Sequence, residues 1–71
     1  MDSQKISNGA ICAEIFSICG AKRAAEYAQE VGNANLLEKI RRGQFTAPAG
    51  GFNAARARAR AAIPVAYRKA T

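Results

Sequence analysis

A helix-favouring run from about Asn8 to Val31 is apolar on two sides in its N-terminal half, more than one short neighbouring helix can cover. Ser7 or Asn8 can cap its start by accepting from free backbone N–H groups. Ala21, Ala24, Ala25, Glu26, Ala28, Gln29 and Glu30 all favour a helix, and Gly20 is the one strong local objection. At helical spacing Ile11, Ile15 and Ile18 form one stripe. Ala10, Ala13, Ser17, Gly20, Ala24, Tyr27 and Val31 recur at heptad spacing on roughly the opposite side. Gly32 is a natural stop, and Asn33 or Asn35 can start a second helix that carries Leu36, Leu37 and Ile40 and ends at Gly43. This short helix makes an αα-hairpin with the first but can cover only one stripe. The other is expected to meet a second copy, a different protein, or the chain's own tail folded back.

Composition sharpens the problem. Leu, Ile, Val and Phe account for 13 of the 71 residues and Ala for 17, a balance in which an independent core is marginal and burial from partners is expected. The chain is one small domain at most. After Gly43 the composition shifts to an extended connection over residues 44–53, where Pro48, Gly50 and Gly51 exclude a helix. Phe45 and Phe52 flank it and are read as anchors that tack it onto a surface. Asn53 can cap a last helix, which Pro64 ends. The expected fold is therefore all-α: a small helical hairpin (about 8–31 and 35–42) within residues 1–43, a Gly/Pro linker over 44–53, and a basic Ala/Arg tail over 54–71 with a short helix at about 54–63. The polar start, through residue 6, is expected to fray.

Charge divides at Ile40. Before it four cations face five carboxylates, a net −1; after it stand Arg41, Arg42, Arg56, Arg58, Arg60, Arg68 and Lys69 with no carboxylate, a net +7. Such asymmetry concerns partners rather than fold. In the run Ala-Ala-Arg-Ala-Arg-Ala-Arg-Ala-Ala, residues 54–62, Arg56 and Arg60 share a helix face while Arg58 points away. Guanidinium groups suit bidentate contacts to phosphate or carboxylate, so the seven cations are candidate anion- or nucleic-acid-binding residues. Ile11, Ile15, Phe16, Ile18, Phe45 and Phe52 are the candidate protein-interface residues.

Catalysis and metal binding find little to work with. Histidine is absent, and Gly50-Gly51 is not followed by the Gly-Lys-Ser/Thr of a phosphate loop. Glu14, Glu26, Glu30 and Glu38 are expected on a solvated ion-pair face, with Glu38 and Arg42 as an i,i+4 pair. Cys12 and Cys19 would stand about 10 Å apart along one helix, too far for a bridge, and are read as small apolar residues of a reducing compartment. No catalytic residue, metal site or cofactor is expected. The apolar run from Gly9 to Ala21 is short and contains Glu14, unlike a membrane span. It also lacks the basic flank of a secretory signal, so the cytoplasm, or a particle assembled there, is the expected location.

These features predict a small non-catalytic structural or adaptor subunit of a large assembly, such as a phage virion or another nucleoprotein particle, held through an apolar helix and an extended basic tail. A low-specificity nucleic-acid-binding protein acting through residues 41–69 is the alternative. A cationic membrane-active peptide is a third reading, weakened because the basic and apolar segments are separate rather than opposed on one helix.

Overall fold

The computed structural model describes residues 6–46 and 50–68. The polar start through Lys5, Pro48 and Lys69 lie outside them. Within that range the chain is all-α: α1 (Asn8–Cys19), α2 (Ala21–Glu30), α3 (Ala34–Arg41), α4 (Ala54–Ala61) and α5 (Val65–Arg68).

Local chemistry sets most boundaries. Ser7 Oγ accepts from the Ala10 amide at 3.1 Å, Asn33 Oδ1 from Leu36 at 3.2 Å, and Asn53 Oδ1 from Arg56 at 2.9 Å. Each answers one of the amides a helix start leaves free. Gly32 closes α2 with φ 74°, its amide donating to Gln29 and the next amide to Ala28, the paired pattern that satisfies the last carbonyls of a helix. Gly43 repeats this after α3, where the amides of Gly43 and Gln44 donate to Ile40 and Lys39.

The expected single helix over 8–31 is two helices. Gly20 adopts φ 97°, ψ 174°, a conformation essentially confined to glycine. The chain reverses there. Cys12 Sγ donates to the Ala24 carbonyl at 3.4 Å and Tyr27 Oη to Asn8 Oδ1 at 3.3 Å, although a straight helix would hold these pairs about 18 and 28 Å apart along its axis. The hairpin is thus α1 against α2, and α3 packs on α2 as a third member. Tertiary burial accompanies the turn: the reversal places Ala24, Tyr27 and Ala28 in one core with Ile11, Cys12 and Ile15.

That core joins Ile11, Cys12 and Ile15 of α1, Ala24, Tyr27 and Ala28 of α2, Ile40 of α3, and Ile63 and Tyr67 from the tail. Of the occupants open to the second stripe, the chain's own tail takes part of the place, and Ser17 and Val31 of that stripe stay exposed. Both α4 and α5 pack on α1, and Ala10 and Ala13 of the small-residue stripe face Ala55 and Ala59 across a shallow groove. Tyr27 and Tyr67 meet edge to face with ring centroids 5.5 Å apart. The Cα radius of gyration, 11.6 Å, is close to the roughly 11 Å of a compact domain this long.

Candidate functional site

The charged centre of the molecule is where α4 crosses α1. Glu14 lies in the middle of the apolar run of α1 and is only 1% exposed. The expectation that it sits on a solvated face is therefore wrong, and the reason lies far along the chain. Arg56 Nε donates to Glu14 Oε2 at 2.7 Å, Arg56 NH2 to Oε1 at 3.2 Å, and Arg60 Nε to Oε1 at 2.6 Å. One carboxylate thus receives three N–H groups from two guanidiniums spaced i,i+4 on α4. The Arg56 bonds hold the Glu14 carboxyl below its usual range, with Arg60 adding to the effect and burial opposing it. The bond to Glu14 in turn raises Arg56. Among the described residues every buried side-chain nitrogen or oxygen has a partner, as a buried ion pair requires.

Phe52 precedes the α4 cap and lies against both guanidiniums, its ring centroid 5.4 Å from Arg56 Cζ and 4.9 Å from Arg60 Cζ. It remains 57% exposed, so its contacts within the chain are those of a cation–π partner with one face in water. The face-sharing expected of Arg56 and Arg60 is realised, and Arg58 is exposed on the other side of α4.

A second cluster fastens α5. Tyr67 Oη donates to Glu30 Oε1 at 2.6 Å, Arg23 NH2 to the Ala66 carbonyl at 2.7 Å, and Cys19 Sγ to the Tyr67 carbonyl at 3.0 Å. Arg23 Cζ also stands 5.0 Å from the Tyr67 ring centroid. Burial, followed by the hydrogen bond to Glu30, pushes the Tyr67 phenol up to about 12, and burial raises Tyr27 as well. The Cys12 thiol is also raised by burial, which keeps it from becoming a nucleophilic thiolate at neutral pH.

The other candidates are dispersed. Ile11 and Ile15, expected at a contact with another protein, are inside the chain's own core, shared with α2, α3 and the tail residues Ile63 and Tyr67. Phe16 and Phe45 pack edge-on at 5.4 Å, both partly buried against the core. Ile18 is 45% exposed. Arg42 pairs with Glu38 at 2.7 Å, as their spacing predicts, and Arg41 is exposed. Arg68 Nε donates to the Ile63 carbonyl at 3.0 Å and NH2 to that of Ala61 at 2.8 Å, closing the C-terminal end of α4. Sequence reasoning misses Glu14, Arg23, Glu30 and Tyr67 as tail-holding residues. The one available signal was a lone carboxylate inside an apolar run.

Among the described residues no group of three or more Cys, Asp or Glu side chains is placed to hold a metal ion, and no helix is long and apolar enough to cross a membrane. Comparison with protein-family models, with curated proteins and with solved structures returns no match.

Proposed function

We propose that the chain is a small non-catalytic structural or adaptor subunit of a larger assembly, with a nucleoprotein particle such as a virion as the setting that best suits its size and charge. The observation that carries this reading is the use made of the basic helix. Arg56 and Arg60 are engaged on Glu14, so α4 serves as an element of the fold, and four large apolar side chains are left exposed among the outward charges: Ile18, Val31, Phe52 and Val65. Exposed aromatic and aliphatic side chains on so small a body suit a docking surface. The low-specificity nucleic-acid reading draws support from Arg41 and Arg58, exposed and paired with no carboxylate among the described residues.

The two readings separate on a pair of substitutions measured in the source organism. For a docked subunit, Phe52→Ala reduces incorporation into a large particle more than Arg58→Ala does. The aromatic carries on the order of 2 kcal/mol or more of association, and a single exposed charge carries about 1 kcal/mol or less. The reverse order, with both chains well folded, contradicts the docked-subunit reading.

A further inference from the structure

We propose that Arg56, Arg60 and Phe52 form a binding site for the phosphate backbone of single-stranded nucleic acid, and that Glu14 occupies this site as an internal ligand while α4 is shut on α1. The inference goes beyond the subunit reading and does not depend on incorporation into an assembly.

The geometry of the clasp is that of anion recognition. Two guanidiniums converge on the two oxygens of one carboxylate through three N–H donors, the fork arrangement that serves phosphate oxygens equally well. Phe52 lies against both guanidiniums with more than half its surface in water, and an exposed aromatic beside cationic side chains is what a base of a single strand stacks on. Arg58 is exposed on the far side of α4, available to a strand while the clasp is shut.

This clasp is the charged part of what holds α4 down, and Arg68 of α5 adds bonds to the Ala61 and Ile63 carbonyls at its end. Ala59 is its one buried residue, and Ile63 just beyond it adds the one large apolar contact at that end. Gly50 and Gly51 precede the helix and Pro64 follows it, so α4 can leave α1 without breaking a neighbouring helix once Ile63 and the Arg68 bonds release it. Glu14 offers a single carboxylate to two arginines. A strand offers a phosphate to each, and each one neutralised releases a counterion. The two states differ in which anion Arg56 and Arg60 hold.

Binding of a fluorescent twenty-nucleotide oligothymidylate to the full chain, followed across a salt series, tests this. Glu14→Gln is expected to tighten binding at least about tenfold at low salt. It should also steepen the slope of log K against log salt by about 1.4, the change for two added contacts to a single strand. The triple variant Glu14→Gln, Arg56→Gln, Arg60→Gln is expected to lose that gain. An unchanged affinity and slope in Glu14→Gln, or a gain that survives in the triple variant, overturns the proposal. Saturating oligothymidylate on the wild-type chain should move the Nε–Hε resonances of Arg56 and Arg60 as well as that of Arg58. Shifts confined to Arg58 overturn the proposal even where Glu14→Gln does not fold. Inorganic tripolyphosphate at equal phosphate concentration is expected to compete weakly, and full displacement of the strand by it overturns the assignment to nucleic acid.

Discussion

Glu14 is the residue that fastens α4 to α1 by charge, and its energetics follow from unequal burial. Its carboxylate is enclosed, whereas the Arg60 side chain is 38% exposed and able to turn to solvent. Glu14→Gln should therefore cost about 1–3 kcal/mol, the range for a broken buried hydrogen bond to a charged group, rather than the larger penalty of a stranded buried charge. Because the folded carboxyl titrates below its unfolded value of about 4.3, its contribution is complete at neutral pH. It is lost as pH falls through that value toward the lower folded one. Denaturant midpoints of wild type and Glu14→Gln should thus differ at neutral pH and converge in acid; a gap that persists in acid contradicts the ion pair as the cause. Tyr67 behaves in the opposite sense. With its phenol pushed up to about 12, it adds stability that is complete below the unfolded value of about 10 and is lost as pH climbs to about 12. Phenolate absorbance should show neither of the two tyrosines ionising at the ordinary value.

Element boundaries were legible in the sequence wherever the chemistry was local. Ser7, Gly32, Gly43 and Asn53 act within four residues of themselves, and each does what its type predicts. Asn33, one of the two caps open for α3, takes that role. The break at Gly20 was not legible, because a glycine inside a helix costs only about 1 kcal/mol and the decision rests on what α2 buries once it turns back. The same limit applies to the candidate site. The shared face of Arg56 and Arg60 is a property of one helix, but their partner lies 42 and 46 residues away, and no local pattern links them. Gly20→Ala tests the turn. An L-residue at φ 97° is strained whatever the space around it, so the variant should lose about 1–3 kcal/mol. A gain in stability would mean that α1 and α2 prefer to run on as one helix.

For the whole molecule, scarce apolar bulk is offset by using the chain twice. Ile63 and Tyr67 of the tail complete a core that α1, α2 and α3 leave open, and the basic helix is fastened by charge where apolar area is lacking. Glu14 thereby makes α4 part of the fold of the isolated chain. Amide hydrogen exchange on the free 71-residue protein, compared with Glu14→Gln, addresses it directly. The amides of Ala57 to Ala62 should be protected in the wild type, less than those of α1 and α2 but well above an unfolded chain. In the variant they should lose that protection while α1 and α2 keep theirs. Exchange of the α4 amides at unfolded rates in the wild type, with α1 to α3 protected, would contradict it.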